Sequence, residues 1–219
     1  EEPLDNYKRI VLSISKWCKP YRRARVVEID FGLIKEYRDE KLISLNIIEE
    51  INLIGDTVPS NELVFTIDNS DRAFNILNPD GFYRFLRERQ EVYAYMGVMV
   101  NEETEDVEEF EYVPMGKFYL TEWKSDEGTL TTTFTARDVF EILENIEYIS
   151  IADTTLYDLA EDILIKAGIK DYVIDERLKT INTRGFTEPL SSRAALQCVA
   201  IAGECIVNQN RHGVGLIVS

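Results

Sequence analysis

His212 is the one histidine in the sequence, so a Ser-His-Asp or Cys-His arrangement would have to use it. It sits between Arg211 and Gly213 in what reads as a hairpin turn, and no G-x-S-x-G elbow accompanies it. Neither a G-x-x-x-x-G-K-[ST] loop nor a G-x-G-x-x-G fingerprint is present. Asp68-Asn69-Ser70-Asp71 is rich in oxygen ligands. It lacks the longer alternation and the closing Glu of a calcium loop, and reads as a turn held by Asx side chains. Asn101–Glu111 carries seven acidic residues in eleven. Paired carboxylates divide acid and base roles only where their surroundings separate the pKa values, and no apolar pocket sequence lies here to do so. Carboxylate separation is not legible in a sequence, so a glycosidase stays formally open. Cys18, Cys198 and Cys205 are an odd, sparse set without metal-ligand spacing, best read as reduced, buried thiols of a cytoplasmic product. The expectation is a chain that is not an enzyme, with no catalytic residue, cofactor or metal site.

The composition narrows the partners. A net charge of −16, from 40 acidic and 24 basic residues, disfavours nucleic acid and anionic membrane surfaces. A hydrophobic content of 45% with 11% aromatics is globular, and 219 residues suffice for one large or two small domains. No apolar run reaches the roughly 18–20 residues that span a bilayer. EEPLDNYKRI is no signal peptide and has no initiator Met, and Ser219 directly follows a strand; both suggest part of a longer product.

The residues that organise the chain run from Tyr112 to Asn145. Phe118 and Leu120 alternate with Tyr119, Thr121 and Trp123, and after a turn Leu130, Thr132, Phe134 and Ala136 alternate with threonines. Period two with β-branched and aromatic residues predicts a two-faced hairpin, closed at Asp126-Glu127-Gly128 by the glycine at positive φ. The period then changes. Val139, Phe140, Ile142, Leu143 and Ile146 predict a helix, with Asp138 capping its free amides, so that Asp138→Ala should cost about 1 kcal/mol.

Upstream, Tyr7–Trp17 reads as a strand or arm, and Lys19, Arg22, Arg23 and Arg25 as a solvated basic patch or a contact with an acidic subunit. Val26–Phe31 is a short strand. Ile43, Leu45 and Ile47 face one way along the next, with a bulge or bend expected at Glu49-Glu50. Leu63, Phe65 and Ile67 form another strand, Phe82, Phe85 and Leu86 a short helix, and Val92–Val98 a strand with Tyr93 and Tyr95 on its second face. Near Ile149–Asp153 the character changes. A helix follows through Leu156, Leu159, Ile163 and Leu164, stopped at Gly168, then a strand at Tyr172–Ile174. A second helix through Ala195, Leu196, Val199 and Ala202 stops at Gly203, and a hairpin ends the chain. The fold expected is α+β and β-rich: a β-barrel-like N-terminal domain over 1–149 and a small α+β domain over 150–219.

The sequence of signals SNELVFTIDN, QEVYAYMGV, MGKFYLTEW and LTTTFTARDVFEIL, followed by SRAALQCVAIAGECIVNQNRHGVGLIV, resembles the N-terminal part of tail hub proteins of tailed phages and prophages. That resemblance spans Val26–Ser219 and brings no catalytic residues. It implies a virion structural protein of the tail tip or baseplate, assembled in the bacterial cytoplasm. Such a hub joins the tail tube to the spike or fibre apparatus, often as a trimeric ring among other tail proteins. The second barrel that completes the family's ring-forming pair is absent. Tyr93, Tyr95, Tyr119 and Trp123, the last two placed opposite Phe118 and Leu120, are the candidate subunit-interface residues. The alternative is a carbohydrate- or receptor-binding module stacking sugars on those rings.

The acidic run is expected to be a dispensable hairpin tip, because loop length is entropically inexpensive. Replacing 102–109 with a short Gly/Asn turn should leave a single cooperative thermal transition. Loss of cooperativity would count against a hairpin there.

Overall fold

The computed structural model describes residues 36–38, 41–99, 110–150 and 153–218. Asp39–Ser219 forms one compact unit and Glu1–Arg38 a separate one. The segments expected at Tyr7–Trp17 and Val26–Phe31, the basic residues from Lys19 to Arg25, Cys18 and positions 101–109 lie outside the described residues.

The fold is α+β and β-rich. Strands β1 (Leu42–Ile48), β2 (Glu62–Asp68), β3 (Glu91–Met99), β4 (Phe110–Asp126) and β5 (Thr131–Arg137) form one antiparallel sheet in the order β1-β2-β5-β4-β3. The last three follow one another as hairpins. The long connection 69–90 carries the chain from β2 to the far edge, a Greek-key arrangement. The result is half a barrel, with β1 and β3 as its edges among the described residues. Register places Leu63, Phe65, Phe134, Ala136, Phe118, Leu120 and Ala94 on one face. Leu63, Ala94, Phe118 and Ala136 are its buried centre.

The 17 residues of β4 carry two bulges. Met115 is the extra residue between the Ala94↔Gly116 and Tyr95↔Pro114 pairs, and Thr121 the extra one between Leu120↔Ala136 and Glu122↔Thr135. Each inserted residue moves everything beyond it to the opposite face. Trp123 therefore pairs with Phe134 and shares the face of Leu120. This corrects the expectation that Trp123 and Tyr119 lie together opposite Phe118 and Leu120: strict alternation fails at Thr121, whose hydroxyl donates to Thr135 O at 2.9 Å.

Other local expectations shift for identifiable reasons. The residue at positive φ in the β4–β5 turn is Leu130 (φ 52°), not Gly128, because the Asp126 carboxylate accepts the Gly128 and Thr129 amides and sets the turn itself. The chain beyond Asp138 forms a 3-10 helix over Val139–Asn145 where an α-helix was expected. Phe82–Phe85 is likewise 3-10. β1 simply ends at Ile48, and its irregularity falls between Leu42 and Ser44, not at Glu49-Glu50.

The remainder contains β6 (Glu147–Tyr148), β7 (Thr154–Thr155), helix α1 (Leu156–Lys166), β8 (Tyr172–Ile174), β9 (Asn182–Thr183) and β10 (Leu190–Ser191). Helix α2 (Ser192–Gly203) and the β11 (Ile206–Gln209) and β12 (Gly215–Val218) hairpin complete it. Thr155 caps α1 by accepting from Asp158 N, Ser191 caps α2 by accepting from Ala194 N, and Gly168 takes φ 79° beyond α1. β8 joins β12 in parallel. Gly203 ends α2 as expected, but its role is close packing: a Cβ there would run into Leu178 Cδ2, and Glu204 takes the left-handed turn instead. The large core joins Val58, Phe140 and Leu143 to the apolar stripes of both helices. The division proposed at 149/150 thus leaves residues of the first part in the core of the second.

Deleting Thr121 in a Trp17→Phe background should remove the bulge and leave Trp123 paired with Phe134 on the face of Leu120. The expected outcome is an unshifted Trp123 emission and a single cooperative unfolding transition. A red-shifted emission, which the same deletion from an unbulged strand would give by turning Trp123 to the opposite face, would contradict the bulge.

Candidate interface and the buried joint beneath it

An open cleft of about 430 Å³ is lined by Glu62, Thr121, Glu122, Thr135, Arg137 and Glu141. Arg137 donates to Glu62 at 2.8 Å and lies 3.5 Å from Glu141, so the cleft is a network of ion pairs on the polar face of the sheet.

The buried polar chemistry lies beside it. Asp138 is 1% exposed. Its carboxylate accepts Ser60 Oγ at 2.8 Å, Asn61 N at 2.8 Å and Phe140 N at 3.0 Å, while its own amide donates to Asn61 O at 3.0 Å. One side chain therefore ties the start of β2, the end of β5 and the 3-10 helix together. Gln209 extends the joint: its Oε1 accepts from Val139 N at 3.1 Å and its Nε2 donates to Lys117 O at 2.7 Å, which brings β11 and β4 to the same place. Arg193 of α2 donates to Val58 O and lies 3.4 Å from Glu141 and 3.6 Å from Glu144. The capping role of Asp138 is legible in its sequence position. The inward polar parity of Gln209, two residues after buried Val207, was the overlooked signal.

The four candidate interface residues are distributed unequally. Tyr93 and Tyr95 on the edge strand β3 are 51% and 55% exposed. Tyr119 packs against the large core, and Trp123 meets the Tyr83 ring edge-on at 6.4 Å. Lys117 Nζ sits between Tyr93 and Tyr119, 5.6 and 5.5 Å from the ring centres, and 2.7 Å from Glu91 Oε1. Burial works to lower Lys117, but the Glu91 carboxylate and the two tyrosines outweigh it and hold the ammonium above the usual lysine range. Beyond Tyr95 the β3–β4 hairpin exposes Met96, Val98 and Val113 on one face and Tyr112 on the other.

The remaining candidates have structural surroundings. Asp68 and Asp71 flank the Lys41 ammonium at 3.5 and 3.2 Å, and Asp68 and Asn69 accept backbone amides of their own turn. His212 lies in the exposed β11–β12 turn, its amide donating to Asn210 Oδ1 at 3.0 Å. Cys198 is exposed and Cys205 buried, both as free thiols. Among the described residues no group of three or more His, Cys, Asp or Glu side chains is arranged to hold a metal ion, and no helix is long and apolar enough to cross a membrane.

No family model matches the chain. No curated protein sequence matches it either. Among solved structures it is similar to the crystal structure of the 43 kDa tail protein of prophage MuSo2 from Shewanella oneidensis, with a TM-score of 0.47 and 14% sequence identity. The similarity covers 82% of this chain and 54% of that one, so the chain spans about half the length of that prophage tail protein. A likeness at this level transfers neither partner nor role.

Burial pushes Asp138 up to about 6, against the pull of the Asn61, Ser60 and Phe140 donors and the Arg193 charge. The folded value lies above the unfolded one. Proton binding therefore contributes stability that is complete below about 4 and lost as pH rises through about 6. Relative to the natural protein, Asp138→Asn should gain up to about 3 kcal/mol between pH 4 and pH 7 in denaturant unfolding. A constant gap would contradict the assignment. Asp138→Ala, which strands three buried donors, should cost about 3 kcal/mol at pH 7, above the 1 kcal/mol of a simple cap.

Proposed function

We propose that this chain is a non-enzymatic structural protein of a phage or prophage tail, of the hub type, assembling into a ring that joins the tail tube to the spike or fibre apparatus. Two things support the reading. The strand signals from Ser60 to Leu143 resemble those of tail hubs, and the β3–β4 hairpin exposes apolar side chains on both faces. The second observation carries it: Tyr95 and Tyr112 on one side, Met96 and Val98 on the other, form an arm that a neighbouring molecule would cover. Soluble monomers rarely leave such surface bare, and β3 is an edge strand among the described residues. The proposed interface residues remain Tyr93, Tyr95, Tyr119 and Trp123, with most of the exposed area on the first two.

A sugar-binding module is the second reading, favoured by the exposure of Tyr93 and Tyr95. Against it, the Lys117 ammonium already lies against the Tyr93 ring.

Full-length protein should form discrete closed particles in light scattering, and Tyr95→Ser with Met96→Ser should shift them toward monomer without lowering Tm. A monomer at every concentration would contradict the hub reading. Glycan-array binding abolished by Tyr95→Ser would favour the module instead.

A further inference from the structure

The connection 69–90 is longer than loops that merely join strands, and loops of such length usually carry function. It is built to be rigid. Amide-to-carbonyl bonds run Arg72→Asn69, Asn75→Arg72, Asn78→Asn75 and Gly81→Asn78, a staircase of turns every third residue. Asparagine side chains brace each step: Asn69 accepts from Phe74 N at 3.0 Å, Asn75 from Leu77 N at 2.7 Å and Asn78 from Asp80 N at 3.2 Å. Phe74, 2% exposed, anchors the whole to the sheet by meeting Phe134 edge-on at 5.1 Å.

What this scaffold presents is unusual for the molecule. Ile76 and Leu77 are 69% and 81% exposed at its crest. The same connection carries Arg72, Arg84, Arg87 and Arg89, all exposed and none ion-paired among the described residues. Within 69–90 the four arginines face Asp71, Asp80 and Glu88, and Asp71 lies 3.2 Å from Lys41 Nζ, so the loop is net basic on a chain of net charge −16. Two of these arginines hold left-handed backbone, Arg72 at φ 56° and Arg89 at φ 65°. A glycine would sit there without the steric cost of a Cβ. Arginine at both positions points to a use for the guanidinium groups.

We propose that the 69–90 loop is a preformed docking site for a second copy of this chain, receiving the β3–β4 arm of its neighbour. The inference rests on the ring reading and names its contact. Complementarity is double. The arm exposes Tyr95, Met96, Val98, Tyr112 and Val113, which suit Ile76 and Leu77. Its strands are joined by the densest acidic run of the sequence, which suits the arginines. Loop and arm are different surfaces, so each copy gives one and receives the other, the heterologous contact from which closed rings are made. A rigid loop loses little freedom on docking, and arginines together with an apolar anchor match the residues on which interfaces depend most. Single-stranded nucleic acid, the other polyanion that arginines and aromatic rings could take, is disfavoured by the net charge and by the aliphatic crest.

Sedimentation velocity of the full-length protein, across a concentration series at low and at about 0.5 M salt, tests the contact. The natural protein should associate, less so in salt. Arg72→Gly with Arg89→Gly should keep or raise Tm yet weaken association about tenfold. Arg84→Glu with Arg87→Glu should abolish it, and so should Glu109→Lys with Glu111→Lys. Mixing those last two variants should restore pairing, because the natural arm of the first then meets the natural loop of the second, with growth stopping at pairs. Loop variants that assemble like the natural protein, while Tyr95→Ser with Met96→Ser does not, would overturn this contact and leave the hub reading standing. A natural protein that never associates would overturn both. Saturable binding of an oligothymidine by the arginines, with self-association unchanged in the loop variants, would also overturn it.

Discussion

A single buried carboxylate sets the geometry on which the rest of Asp39–Ser219 depends. Asp138 receives donors from Ser60, Asn61 and Phe140, residues that come together only when β2 and β5 are paired and the 3-10 helix after β5 has turned back. Burying that charge is costly, and stripping it of partners is costlier, so few alternative arrangements of these segments are tolerable. Gln209 bonds to Val139 N and Lys117 O in the same region, so the terminal hairpin is tied to the joint as well. The helices α1 and α2 are then committed to the core that Phe140 and Leu143 enter. The joint explains why the half-barrel stays attached to a small helical layer.

Much of this was legible in the sequence where one local signal decided the outcome. Thr155, Ser191 and Gly168 bound the two helices where capping chemistry places them, and period-two alternation located β2, β3 and β5. The failures share a cause. Trp123 changes face because Thr121 is an extra residue, and a bulge leaves no mark in a hydropathy pattern that both registers satisfy equally well. Gly128 was expected to take positive φ, yet Asp126 organises the turn and Leu130 takes that conformation. The Ser60 and Asn61 partners of Asp138 are 78 and 77 positions away, and no local rule reaches that far. The proposed interface was partly legible: Tyr93 and Tyr95 stand out by alternation, whereas the 69–90 loop reads from sequence as a mere run of turns.

The surface divides by charge and by texture in a way that the interior does not require. Most cations of the described fold are engaged, as Lys117, Arg137, Lys166 and Arg193 are, and each of these serves packing or local order. The arginines of the 69–90 loop are the concentrated exception, and they belong to the same rigid scaffold as the aliphatic crest. The β3–β4 arm has the opposite character, apolar on both faces and joined through an acidic run. A molecule with one surface of each kind is suited to propagating contacts from copy to copy, which is what a tail-tip ring would require.

The most direct test is hydrogen–deuterium exchange on the full-length protein, compared at concentrations below and above assembly. The proposed contact predicts that amides of β3 from Tyr95 onward and those of the 69–90 staircase gain protection together, while α1 and α2 stay unchanged. Assembly that protects neither segment, or protects β1 in their place, would contradict it.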